Sequence, residues 1–346
     1  MLSLLAQGGM GELYRARAEG AGRDVALKVV RADLAQSPMF KAMFLEEGRI
    51  ASLLHHPNLV RVDGFGEADG RFYLCMELVE GRNAAALVDH CRKTRDLLAP
   101  RFAVYIAEQV ARGLHHAHRL EVDGQPLRLV HRDVSPGNIL LSNQGAVKLT
   151  DFGVARIRRE KSLTVAGMRK GTLRYMAPEQ IQNLTDPRSD VFSLAAVLWE
   201  LLVGRPLFEG TTDAQLADAV RNQPIAAPSE YAADVPPALD AVLLHALERH
   251  PRARFQTAQD FAEAIRSRPI PPPSTYAGNI PLALDAVVLK ALDRNPRARY
   301  LGASQSQPVV PWNESAPAFN VREAAPDSPV RPTWHLPSFT KSGREA

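Results

Sequence analysis

The chain has 346 residues, 45% hydrophobic and 23% charged, which is ordinary for a soluble globular protein and allows one two-lobed domain or two small ones. A net charge of +4 is small for this length and gives no basic stripe of the kind that marks nucleic-acid binding, so no nucleic-acid partner is expected. There is no apolar run of about 18 residues to span a membrane, no basic region to make Met1-Leu2-Ser3-Leu4-Leu5 a signal peptide, and no metal-type spacing of Cys75 and Cys91; a cytoplasmic protein is predicted.

Met1 to Ala6 reads as a strand, Gly8-Gly9-Met10-Gly11 as a glycine turn, and Leu13 to Ala16 as a second, alternating strand. Glycines in such a turn let backbone N–H groups approach a ligand that a side chain would hold away. Val25-Ala26-Leu27-Lys28 is an apolar strand ending in a lysine. Phe40 to Leu54 has a helical apolar face, and the same helix offers Glu46 and Glu47. Gly48 inside that helix costs about 1 kcal/mol relative to alanine. His56-Pro57-Asn58 turns the chain, and Leu59 to Phe65 and Phe72 to Glu77 are predicted strands. Asn83 to Arg95 and Pro100 to Arg119 are predicted helices, the second with Phe102, Ile106, Val110, Leu114 and Ala117 on one face. His115, His116 and His118 lie at its end, where the helix dipole favours them; no carboxylate or cysteine stands beside them to complete a metal set. Glu121 to Gln125 is a polar insert.

Val130 to Asn138 reads V-H-R-D-V-S-P-G-N, and Asp151-Phe152-Gly153 follows behind a short strand, Val147 to Thr150. Two carboxylates and an amide in this order are what phosphoryl transfer requires. One carboxylate accepts the hydroxyl proton, and the other carboxylate and the amide hold divalent metal on nucleotide phosphates. The following segment is basic and polar over residues 156–170, carries Ser162 and Thr164, and closes in Gly171-Thr172-Leu173-Arg174-Tyr175-Met176-Ala177-Pro178-Glu179. Ser189 to Leu202 is an apolar helix, ended by Gly204 and Pro206.

Together these motifs resemble the eukaryotic-type (Hanks-type) Ser/Thr protein kinases of bacteria, over about residues 1–268. The resemblance implies an α+β, bilobal fold: a small, mostly β N-lobe over 1–79 and a larger helical C-lobe over 80–268. It implies transfer of the ATP γ-phosphoryl group to Ser or Thr of protein substrates, the chain itself included. On this reading Asp133 is the base, Asn138 and Asp151 hold Mg²⁺ (or Mn²⁺), and Lys28, paired with Glu47, positions phosphates. Gly8, Gly9 and Gly11 cover the phosphates, although Ala6 replaces the first family glycine. Met76 limits the adenine pocket, the backbone of Glu77 to Val79 bonds the ring, and Thr172 lines the substrate side. Asp190 braces the catalytic loop, and Arg132 pairs with phosphate placed on Ser162 or Thr164. Ser135 stands where the family carries a lysine that contacts the transferred phosphate. A pseudokinase scaffold is therefore the alternative, and a small-molecule phosphotransferase a remoter one, because such enzymes lack an Ala177-Pro178-Glu179 segment.

Residues 224–255 and 269–300 repeat one another, with roughly 20 of 32 aligned positions identical. In the family this segment occurs once, and its arginine holds the glutamate corresponding to Glu179. Arg254 is expected to do so rather than Arg299, because a capped amphipathic helix from Thr257 to Arg266 follows Arg254. The repeat at 269–300 is expected to dock on the large lobe or on another chain. Residues 301–346 are predicted to be a disordered tail.

Overall fold

A computed structural model describes residues 1–267, apart from 9–10, 19–21, 36–37, 69 and 153–171. Strands β1 (Ser3–Gly8), β2 (Gly11–Arg17), β3 (Asp24–Val30), β4 (Val62–Ala68) and β5 (Arg71–Glu77) form an antiparallel sheet in the order β1-β2-β3-β5-β4. Being central, β3 buries both faces and reads as an almost unbroken apolar run. Val25, Leu27 and Val29 pack with Tyr73 and Cys75 on one face. Ala26 and Val30 pack with Phe40, Phe44 and Phe72 on the other. The two-residue period puts Lys28 on the second face, with Ala26 and Val30.

After a single turn, α1 (Ala32–Ala35), helix α2 (Pro38–Leu53) covers that second face. The Phe44 and Phe72 rings meet at a tilt with centroids 5.4 Å apart. Gly48 has a packing reason: a Cβ there would lie 2.5 Å from Cγ of Phe65 on β4. The predicted strand from Leu59 begins only at Val62. Before it, the chain peels away to the large lobe, where Leu149 N donates to Asn58 O and Val60 N to Leu149 O, both at 2.9 Å.

The large lobe is built on α4 (Pro100–His118) and α6 (Pro187–Val203), with α3 (Ala84–Thr94), the single turn α5 (Pro178–Ile181), α7 (Asp213–Asn222), α8 (Pro237–Ala246) and α9 (Ala258–Arg266) around them. Every residue of α6 from Ser189 to Val203 is buried, the pattern of a helix at the centre of a core. It starts two residues before its predicted position because Asp186 caps it, and it ends at Gly204, whose φ of +76° suits glycine. α9 closes the core: Thr257 caps it, and Phe261 and Ile265 are fully buried.

Two elements were not anticipated. The polar insert is a hairpin of β7 (Glu121–Val122) and β8 (Gln125–Pro126), turned at Asp123-Gly124, both at positive φ; the Asp-Gly pair is the signal for such a turn. A second small sheet has β6 (Gly81–Asn83), β9 (Ile139–Ser142) and β10 (Val147–Leu149) in the order β10-β9-β6. It sets the loops that bear Asn138 and Asp151 against the segment joining the lobes.

Candidate active site

The loop before β9 is held from beneath by α6. Asp190, fully buried, accepts N–H bonds from His131 at 2.8 Å and Arg132 at 2.9 Å, with His118 Nε2 at 2.8 Å on the same carboxylate. These bonds hold Arg132 at φ +69°, a left-handed conformation that costs a non-glycine residue about 1–2 kcal/mol. His131 is fully buried; its Nε2 lies 2.9 Å from Thr150 O and its Nδ1 accepts the Asp133 N–H at 3.2 Å. Both contacts suit the tautomer with its proton on Nε2. Asn138 Nδ2 donates to Asp133 O at 2.7 Å and to Asp133 Oδ2 at 3.0 Å, which ties that carboxylate to the turn after it. Thr150 N donates to Asn138 O at 2.9 Å, so the loop bearing Asp133 and the strand leading to Asp151 are bonded together.

Asp151, at φ +64°, places its Oδ1 2.6 Å from Lys28 Nζ. Here the structure departs from the expected pairing. The ion pair of Lys28 among the described residues is with Asp151, and Glu47 is not part of it. Lys28 lies on the α2-facing side of β3, but the nearer carboxylate is the one that enters from the large lobe. The two neighbouring glutamates of α2 differ in their surroundings. Both Glu47 side-chain oxygens are shielded from solvent, whereas Glu46 points outward and pairs with Arg49.

On the neighbouring strand, two residues from the partner of Lys28 in the sheet register, Gly8 pairs with Gly11 to close the β1–β2 hairpin. A Cβ on Gly11 would lie 2.0 Å from Val29 O, so strand packing alone requires glycine there; one on Gly8 would meet nothing within 4 Å. Gly9 lies outside the described residues. Met76 is buried in β5 opposite Ala26 and belongs to the small-lobe core. The Glu77 N–H is committed to Arg61 O at 2.9 Å, which removes that donor from the groups able to meet a ring. The Glu77 carbonyl and the Val79 backbone remain. The Glu77 side chain accepts from Arg61 N and from Lys148 Nζ, each at 2.8 Å, and sequence reasoning assigned Lys148 no role.

The protein kinase domain family matches residues 1–265. This chain belongs to the protein kinase family. It is 41% identical over 256 residues to serine/threonine-protein kinase PknB of Mycolicibacterium smegmatis, covering 72% of this chain and 39% of that protein. It is 37% identical over 252 residues to tyrosine-protein kinase MasK of Myxococcus xanthus, covering 71% of this chain and 39% of MasK. The chain thus spans about two fifths of the length of these curated relatives. The crystallised kinase domain of Mycobacterium tuberculosis PknI superposes with a TM-score of 0.59 at 29% identity, covering 76% of this chain and 93% of that one.

The kinase domain's closing run is anchored by Glu179, whose carboxylate meets Arg254 in a two-pronged ion pair at 2.7 and 2.8 Å. The Arg254 side chain is fully buried and also donates to Arg249 O and Arg188 O, while Ser189 Oγ donates to Glu179. Thr172 opens a short 3-10 turn, Thr172–Tyr175. Tyr175 donates to buried Glu200 at 2.6 Å, and burial pushes both groups' pKa upward. Ser162, Thr164, Gly153 and Arg299 lie outside the described residues.

The oxygen donors suit a hard divalent cation. Asn138 spends its Nδ2 on Asp133, which directs its amide oxygen elsewhere, and Asp151 supplies a carboxylate. Among the described residues no cluster of three His, Cys, Asp or Glu side chains could cage a metal alone.

Proposed function

We propose that this kinase domain transfers the γ-phosphoryl group of ATP to serine and threonine hydroxyls of proteins, including its own chain. The observation that carries the reading is the meeting of Lys28 with Asp151 and of Asn138 with Asp133, at the junction of the two lobes. Asp133 orients the acceptor hydroxyl and takes its proton as the oxygen bonds to the γ-phosphorus and the bond to the β–γ bridging oxygen breaks, releasing ADP. Asn138 keeps the Asp133 carboxylate in one orientation. Asn138 and Asp151 would hold Mg²⁺ (or Mn²⁺), which neutralises phosphate charge when bound. Lys28 moves from Asp151 toward the phosphates, Glu47 receives it when α2 engages, and Gly8, Gly9 and Gly11 cover them. The adenine ring lies against Met76 and bonds the Glu77 carbonyl and the Val79 backbone. Thr172 lines the acceptor side, and phosphate on Ser162 or Thr164 docks on Arg132. Positioning and charge neutralisation supply most of the rate.

A cytoplasmic location is part of the proposal, supported by Cys75 and Cys91, two buried free thiols of the kind a reducing compartment keeps. Self-association through residues 269–300 is part of the same proposal.

Incubation with γ-labelled ATP and Mg²⁺, with and without a generic protein substrate, tests it by phosphoamino-acid analysis. Label on serine and threonine is expected. Asp133→Asn should abolish it while leaving ATP binding within a fewfold, and Asp151→Asn should weaken Mg²⁺-dependent binding as well. Label on tyrosine alone would reassign the specificity toward that named for MasK, and ATP binding without transfer would sink the enzymatic reading.

A further inference from the structure

Val147 and Leu149 of β10 are 3% and 0% exposed in the large-lobe core, so Lys148 between them faces the other way. Its Nζ meets Glu77 Oε1 at 2.8 Å and Leu59 O at 3.3 Å. Glu77 is the last residue of β5, where the chain leaves the small lobe. The same Oε1 accepts Arg61 N, and the Glu77 N–H returns to Arg61 O, so the residue is held by its backbone and its side chain at once. The Lys148 and Glu77 side chains are 18% and 19% exposed, so the pair is largely withdrawn from water. Loss of one partner there leaves the other short of hydrogen bonds. Two residues past Leu149 the chain reaches Asp151. One short strand therefore grips the interlobe segment from behind and carries the metal-side carboxylate at its end.

We propose that Lys148 is a positioning residue: through Glu77 it sets the backbone that receives the adenine ring, and it locks that backbone to the strand bearing Asp151. The inference rests on the nucleotide reading of the cleft. Without the ammonium, the Glu77 carboxylate keeps only the Arg61 N–H and turns toward water, drawing the interlobe backbone with it.

The test is calorimetric binding of adenosine, which has no phosphates, beside steady-state transfer from ATP. Lys148→Met keeps most of the stem and removes the charge. It should weaken adenosine about fivefold to tenfold and raise KM for ATP by a similar factor, with the loss in kcat/KM arising through KM. Glu77→Gln removes the same ion pair from the other side and should do likewise, which keeps the test open if one variant does not fold. In the double variant the second change should add less than twofold. A lower melting temperature with unchanged adenosine affinity would mean a merely structural pair and overturn the inference, as would independent, multiplying effects in the double variant. Failure of the wild-type chain to bind adenosine or ATP would overturn the nucleotide reading together with it.

Discussion

Ser135 occupies a place where the local fold does not depend on its side chain. It sits in extended conformation at the start of the short helix Pro136–Asn138, and its carbonyl accepts the Asn138 N–H. The side chain makes no capping bond, so lysine can replace serine without loss of that turn. If the missing charge limits transfer, Ser135→Lys raises kcat severalfold with little change in ATP affinity; an unchanged kcat in steady-state assays would show that another cation serves. A second prediction at this scale concerns His56. Burial, reinforced by His116, Arg112 and Lys148, pushes its pKa down to about 4 from 6.5. The unfolded chain then binds a proton that the folded chain refuses between these values. Stability is full above about pH 6.5 and declines as pH falls toward 4. Urea melts at pH 7 and pH 5 should show a smaller loss for His56→Gln than for the parent, and equal losses would rule out this source.

Helix α2 illustrates the contest between local propensity and packing. Gly48→Ala would gain about 1 kcal/mol in an isolated helix. In the folded chain the new Cβ meets Cγ and Cβ of Phe65 at 2.5 and 3.0 Å, the near end of that side chain, which rotation of the ring cannot clear. Overpacking of this kind costs about 1–3 kcal/mol, so a net loss of stability is expected. Thermal melts check it, and Phe65→Ala should cost less in the Gly48→Ala background than alone. The glycine was legible as an anomaly in the sequence. Its cause was not, because Phe65 lies on a strand that only the fold brings against the helix.

Across the whole molecule the decisive contact is Glu179 with Arg254, 75 residues apart and almost fully enclosed. Arg254→Ala leaves a buried carboxylate without its cation, a loss of about 3–5 kcal/mol. We propose that the kinase domain ends near Arg268, since the family match stops at residue 265 and α9 already closes the core. A chain ending at Arg268 should then melt at the parent temperature, and Arg299→Ala should change stability by less than about 1 kcal/mol. Greater destabilisation from Arg299→Ala than from Arg254→Ala would move the boundary into the repeat.

Local chemistry could be read directly. The order His131-Arg132-Asp133, Asn138, Asp151 pointed to phosphoryl transfer, and amphipathic periods placed most helices and strands, because hydrogen bonding and side-chain periodicity within an element depend on neighbours in sequence. The Asp123-Gly124 hairpin is legible by the same rule. Partner choice across the fold was not legible. Lys28 offered the same ammonium to Glu47 and Asp151, and the closure of the lobes put it against Asp151. Nothing in its local sequence marks Lys148; its partners appear only where β10, β5 and the Asn58–Arg61 stretch come together. Such pairings depend on distances between elements far apart in the chain, and those distances exist only once the core has packed.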